Sequence, residues 1–175
     1  MKKGREMRPK ILIIMGSDSD LPVMEETAKV LDGFDIPYRM TVASAHRTPE
    51  RTLALVKDAE KNGVDVIIAG AGMAAHLPGV VASHTILPVI GVPLDASPFK
   101  GVDALLSIVQ MPPGVPVATV AVGKAGARNA AILATQIIAR KNATLSRKLL
   151  LHREAMSQEV EEKALKVTRK TVKTK

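Results

Sequence analysis

Three short loops in this chain collect nearly all of the residue types able to do chemistry: Gly16-Ser17-Asp18-Ser19-Asp20, Ser44-Ala45-His46-Arg47-Thr48-Pro49, and Gly70-Ala71-Gly72-Met73-Ala74-Ala75-His76-Leu77-Pro78-Gly79. The first offers two hydroxyls and two carboxylates at the start of a helical pattern. Either Ser19 or Asp20 caps that helix, or glycine, hydroxyls and free N–H groups at its positive end hold a phosphate or ribose, and the loop by itself leaves both open. In the second, Thr48 and Pro49 read as an N-cap and first-turn pair, which leaves His46 and Arg47 without a structural account. Arginine grips a phosphate through two parallel hydrogen bonds, and histidine moves protons near neutrality. Side by side they point to an anionic substrate undergoing proton transfer. In the third loop Gly70 and Gly72 allow backbone angles or a close ligand approach denied to other residues. Ala75 stands where the third glycine of a dinucleotide fingerprint is due, so no NAD site is expected. His76 either packs at a helix start or touches substrate. No metal site is expected from His46, His76 and His84, which have neither acidic neighbours nor an i, i+4 partner.

The positioning elements can be read from hydrophobic periodicity. Apolar runs of five or six residues alternate with helical patterns: strand 10–15, helix 21–33, strand 38–43, helix 49–62, strand 65–69, a helix opening near residue 75, strand 88–92, helix 102–109 and strand 116–122. This is the pattern of βαβ units around a parallel sheet. The expected fold is therefore α/β, a three-layer, flavodoxin-like, doubly wound parallel sheet of about five strands, in which all three loops leave the sheet at one carboxyl edge, where such folds bind ligands. Pro88 opens the fourth strand, and Pro78 restricts the helix before it to a start just upstream. A helix over 127–140 is small and apolar on nearly every face, which implies burial on more than one side, against the sheet and against a second subunit or other chain elements. After Asn142, the residues Leu145, Leu149, Met156, Val160 and Val167 recur at near-helical spacing, so a C-terminal amphipathic helix is expected to about Lys166.

Composition narrows the function classes. The chain has 175 residues, 46% of them hydrophobic, and no cysteine. One domain over 10–167 is expected, between a basic tail at 1–9 and a solvated basic tail at 168–175. Without cysteine there is no disulfide, thiolate metal site or cysteine nucleophile, and a cytoplasmic location is the default. The five apolar residues before Gly16 are too few for a signal-peptide core, and no run reaches membrane-spanning length, so no membrane association is expected. The net charge of +8 resides in the ends: residues 1–10 carry +4 and 163–175 carry +6, leaving −2 on the 152 residues between. With no Trp, one Tyr and two Phe there is no stacking platform for nucleic acid, and no nucleic-acid partner is expected.

Taken together, the three loops resemble those of the class I 5-(carboxyamino)imidazole ribonucleotide mutases of purine biosynthesis, also called the catalytic subunit of phosphoribosylaminoimidazole carboxylase. The resemblance extends through Gly101-Val102-Asp103-Ala104-Leu105-Leu106-Ser107-Ile108-Val109-Gln110-Met111-Pro112 and Gly114-Val115-Pro116-Val117-Ala118-Thr119-Val120, covering roughly residues 10–140. It implies a flavodoxin-like subunit of a homo-octamer, with no metal or organic cofactor, that moves a carboxylate from the exocyclic nitrogen of a ribonucleotide to a carbon of its imidazole ring. By matching positions it implies that Ser17, Asp20 and Arg47 bind the ribose phosphate, with Ser19 and Ser44 beside them, and that His46 is the general acid and base. The loop from Gly70 through Gly72, Ala75 and His76, continued by Leu77, would enclose the imidazole and the migrating carbon dioxide. At Met73 the chain departs from the commonest pattern, which has glycine; a side chain there either points away from the ring or shrinks the pocket.

Two other readings compete. A related carboxylase adds free carbon dioxide to aminoimidazole ribonucleotide, although the run 74–79 is similar to the mutase class. A non-catalytic flavin- or nucleotide-binding module would use the sheet and the first loop but leave His46 and His76 idle.

Overall fold

The computed structural model describes residues 8–74 and 76–172 of the chain, with side chains described through residue 168. Five strands, β1 (Ile11–Met15), β2 (Tyr38–Val42), β3 (Val66–Gly72), β4 (Val89–Leu94) and β5 (Ala118–Thr119), form one parallel sheet in the order β2-β1-β3-β4-β5. That is the flavodoxin-like order. Helices α1 (Leu21–Gly33), α2 (Pro49–Lys61), α3 (Leu77–Ala82), α4 (Val102–Val109) and α5 (Gly123–Ala139) connect and follow the strands, on both faces of the sheet. Among the described residues no helix is long and apolar enough to cross a membrane.

The three inner strands are covered on both faces and hence apolar almost throughout. Every residue of β1 and β4 is buried, as are the first six of β3. At roughly 1.5–3 kcal/mol for each large side chain removed from water, this layer is the main cohesive element. Register then aligns the loops: Met15, the last residue of β1, is paired with Val42 of β2 on one side and Gly70 of β3 on the other.

Several boundaries differ from expectation. β5 has two residues rather than seven, because Pro116 lacks an N–H for the ladder and only Ala118 and Thr119 pair, with Ile90 and Gly91. β3 runs three residues further, through Gly72, so the glycine loop begins as strand. α3 starts at Leu77, two residues past the expected position, with Pro78 still in its first turn. The chain groups into two compact units, Met1–Ile137 and Ile138–Lys175, where the sequence reading ran one domain over 10–167. The second unit holds the end of α5 and a long helix α6 (Ala143–Val172). Asn142 Oδ1 caps α6 by accepting from the Leu145 N–H at 3.1 Å. α6 continues past Lys166 to Val172, so most of the tail expected at 168–175 is helix; residues 1–7 and 173–175 lie outside the described residues.

One ion cluster, with exposed Lys29 and Arg128 around the Glu26 carboxylate, braces the first unit. Glu26 on α1 accepts from Lys29 Nζ at 2.7 Å and from Arg128 Nε on α5 at 2.7 Å, and Thr27 Oγ1 donates to the Ala127 carbonyl at 2.9 Å. The Lys29 hydrogen bond first, then that of Arg128, holds the Glu26 carboxyl down from 4.5 to about 2. A carboxyl depressed in the folded state contributes stability that is fully present above its unfolded value and lost as pH falls toward its folded value. Denaturant unfolding at stepped pH is therefore expected to show a loss of stability between about 4.5 and 2 that Glu26→Gln abolishes. An identical pH profile in the variant would assign the acid sensitivity to other carboxyls.

Candidate active site

The loops after β1, β2 and β3 meet at the carboxyl edge of the sheet and line a cleft of about 610 Å³. In the first loop the chain makes a single 3-10 turn, Asp18–Asp20, before α1. Its cap is Ser17 rather than Ser19 or Asp20: the Ser17 hydroxyl accepts from the Ser19 N–H at 3.3 Å, and the Asp20 carboxylate reaches back to accept from the Ser17 N–H at 3.0 Å. This reciprocal capping box fixes the loop and leaves a chain of hydroxyls on it. Ser19 Oγ donates to Ser17 Oγ at 2.9 Å, which donates to Asp18 Oδ1 at 3.0 Å. Burial pushes the Asp20 carboxyl above its ordinary value, with Asp18 adding to the rise, against the pull of the Ser17 and Gly16 N–H groups and of Arg47.

The second loop is closed by Thr48. Its hydroxyl does not cap α2; it accepts from the Ser44 N–H at 3.0 Å and donates to the Ser44 carbonyl at 3.1 Å. Ser44 Oγ in turn accepts from the Arg47 N–H at 3.2 Å. The clasp between 44 and 48 holds His46 and Arg47 outward at the cleft. Arg47 Nη2 donates to the Gly16 carbonyl at 3.1 Å, which places the guanidinium beside the serine hydroxyls and leaves most of its five N–H donors available. His46 is exposed at the cleft wall and has no hydrogen-bond partner among the described residues.

The third wall is built by close packing. Neither Gly70 nor Gly72 has a positive φ. They are glycines because a Cβ on Gly70 would lie 2.5 Å from Met24 Sδ, and one on Gly72 would lie 2.6 Å from Ala96 Cβ. The left-handed conformation falls instead on Met73, with φ 57°, at a cost of about 1–2 kcal/mol for a residue bearing a Cβ. Ala71, Gly72, Met73 and Ala74 line the cleft. Ala75 lies outside the described residues.

Of the residues singled out from the sequence, Ser17, Ser19, Asp20, Ser44, His46, Arg47 and Gly72 come together around this cleft. His76 and Leu77 are not in its lining. Leu77 is buried in the core. The His76 ring sits against Gly79, whose missing Cβ makes room for it, and Nδ1 bonds the Ser107 carbonyl on α4 at 2.6 Å. A carbonyl only accepts, so Nδ1 carries the proton and His76 ties α3 to α4. Sequence reasoning missed Ala96, which lies outside the three loops. The apolar run ending in Leu94 was a usable signal for Ala96, since β4 neighbours β3 and its following loop emerges at the same edge. Among the described residues no group of three His, Asp or Glu side chains comes together to hold a metal ion. A second hollow of about 250 Å³, between Leu12, Leu55 and Val64, has Arg39 and Asp58 paired with each other at 3.1 Å.

Comparison with known proteins bears on this cleft. The family model described as AIR carboxylase matches residues 10–159. The chain is 56% identical over 157 residues to the N5-carboxyaminoimidazole ribonucleotide mutase of Pyrococcus horikoshii, covering 90% of this chain and 88% of that one. It is 57% identical over 156 residues to the mutase of the same name from Thermotoga maritima, covering 89% and 90%, and 49% identical over 157 residues to that of Escherichia coli strain K12, covering 90% and 93%. A crystal structure of Treponema denticola PurE superposes with a TM-score of 0.83 at 30% identity, covering 91% of this chain and 98% of that one. With a family model matched across all three loops and relatives of this similarity along most of its length, the chain belongs to the AIR carboxylase family.

Proposed function

We propose that the protein is a mutase of purine biosynthesis, an isomerase that converts N5-carboxyaminoimidazole ribonucleotide to 4-carboxy-5-aminoimidazole ribonucleotide. The observation that carries this reading is the placement of an unpartnered histidine, His46, next to an arginine anchored over a serine-lined loop, in a chain whose relatives bear the mutase name. Arg47 and the hydroxyls of Ser17 and Ser19 hold the phosphate and ribose, with Asp20 as a hydrogen-bonding partner for the sugar. His46 in its protonated form gives a proton to the exocyclic nitrogen as the carbon–nitrogen bond breaks, releasing carbon dioxide. The ring carbon then attacks the carbon dioxide, forming the carbon–carbon bond, and its proton passes to His46, which regains its starting state. One group can serve both steps because the cycle returns its proton. Holding the gas beside the ring makes recapture intramolecular, and the small residues Ala71 and Ala74 leave room for it.

The test is an assay with N5-carboxyaminoimidazole ribonucleotide and with aminoimidazole ribonucleotide, each with and without bicarbonate. Conversion of the first without added bicarbonate is expected. The family description names a carboxylase, which favours a second reading in which aminoimidazole ribonucleotide is carboxylated directly; turnover of that substrate alone, dependent on bicarbonate, would establish it instead. A phosphorylated ribonucleotide substrate and a chain without cysteine support a cytoplasmic location.

The same reading includes a homo-octamer. α4 and the turn before it carry an exposed apolar row, Phe99, Val102, Leu106 and Val109, at 70%, 55%, 54% and 48% exposure. α6 exposes Leu150, Leu151, Met156, Val160 and Leu165, and the outer face of α5 is half-buried Ile132, Leu133 and Ile137. Apolar surface on this scale marks protein contacts. Light scattering is expected to give eight times the 18.6 kDa chain mass, and a monomer at micromolar concentration would refute the assembly.

A further inference from the structure

The first loop carries a carboxylate that neither the phosphate contact nor the proton transfer uses. Asp18 is exposed on the 3-10 turn before α1, between two serines that line the cleft. Its Oδ1 accepts from the Ser17 hydroxyl at 3.0 Å and from the Ser19 N–H at 3.1 Å. An ionised carboxylate only accepts, so the direction of the whole chain is settled: the Ser17 proton goes to Asp18, and in the 2.9 Å contact between the hydroxyls Ser19 must be the donor. A hydroxyl has one proton and two lone pairs. The Ser17 oxygen commits its proton to Asp18 and its lone pairs to the N–H and the O–H of Ser19, at 3.3 and 2.9 Å. Its capacity is full. Ser19 has given its own proton to Ser17 and has only lone pairs left, whereas a phosphate, itself an acceptor, needs donors.

For these hydroxyls to hold a phosphate, both must turn their protons outward, and Ser17 then gives up a charge-assisted bond to Asp18. We infer that Asp18 is a positioning residue that sets the direction of the hydroxyl chain and thereby weakens the grip of the first loop on the substrate phosphate. This rests on the reading that Ser17 and Ser19 hold that phosphate. Substrate, transition state and product all carry the same phosphate, so the effect falls on binding and leaves the chemical step as it is.

The experiment measures kcat and KM for N5-carboxyaminoimidazole ribonucleotide in the wild type, Asp18→Ala and Asp18→Asn, each in low and in high salt. Alanine removes the acceptor and frees the Ser17 proton. Asparagine removes the charge but keeps an oxygen for Ser17, so the chain keeps its direction. Asp18→Ala is expected to lower KM roughly tenfold, the low end of what a charged hydrogen bond contributes, in both salts and with kcat unchanged. Asp18→Asn is expected to lower KM only in low salt, where the lost charge was unscreened. No fall in KM with Asp18→Ala overturns the inference. A fall that high salt abolishes also overturns it, because charge repulsion alone then accounts for the effect, and so does a matching fall in kcat, which would make Asp18 part of the chemical step. Both substitutions leave the capping box of Ser17 and Asp20 in place, and Ser17 Oγ remains an acceptor for the Ser19 N–H. The loop is therefore expected to keep its fold, which thermal unfolding checks. Failure of the mutase reading looks different: the wild type would turn over aminoimidazole ribonucleotide with bicarbonate and leave the carbamate untouched, and the same KM comparison on that substrate, which carries the same phosphate, then decides the role of Asp18.

Discussion

His46→Asn is expected to lower turnover by at least about 100-fold, the lower bound of what general acid–base catalysis contributes, with ribonucleotide binding and assembly unchanged. Asparagine keeps polarity and approximate size but takes up no proton near neutral pH. The ring it replaces makes no hydrogen bond to the described residues, so its removal breaks no contact that holds the loop; the clasp between Ser44 and Thr48 does that. The wild-type pH–rate profile should carry an inflection that the variant lacks. If the variant kept more than about a tenth of wild-type turnover, well above that 100-fold bound, the proton would have to travel through another group. The structure makes Asp20 the next to test, since it lines the cleft and burial raises its carboxyl. His76, the candidate that sequence reasoning would have turned to, is engaged with the Ser107 carbonyl at 2.6 Å.

Arg47→Ala should chiefly raise KM. A charged hydrogen bond is worth about 1.5–3 kcal/mol, so a rise of roughly 10- to 150-fold is expected, with a smaller change in kcat because the phosphate is held equally before and during the chemical step. The side chain is exposed, so the fold tolerates its loss, although the bond from Nη2 to the Gly16 carbonyl goes with it. Arg47→Lys separates the two contributions: it restores charge without the planar fork, and KM should fall between those of wild type and Arg47→Ala. An unchanged KM in the alanine variant would place the phosphate elsewhere.

The architecture was legible because it is written in local patterns. Runs such as 11–15 and 66–69 are apolar at every position, as strands covered on both faces must be, and the helical stretches between them repeat with a helical period. Chain order then implies parallel strands, and parallel strands put Ser17, His46 and Gly72 at one edge. The family resemblance was legible for the same reason: the loops that carry it are short and contiguous. Matching positions from that resemblance supplied the individual roles of Ser17 and Asp20 and sharpened that of His46, which its place beside Arg47 already pointed to.

Other features depended on partners distant in sequence, which no local pattern reveals. Gly72 is required by Ala96, 24 positions later, and Gly70 by Met24 on a helix three elements earlier. The sequence offered glycine as a conformational device at both sites; packing made each a matter of space, and the left-handed angle went to Met73. Ser17 and Thr48 were likewise decided by competition among nearby acceptors, one becoming the cap and the other a clasp. His76 belongs to α4 rather than to the cleft because only the folded chain brings the Ser107 carbonyl to it, 31 residues away. Residue types and their order thus determined the sheet, its reactive edge and the chemistry available there. Which of those residues line the cleft was decided by tertiary packing, because a side chain's direction depends on which neighbour already occupies the space beside it.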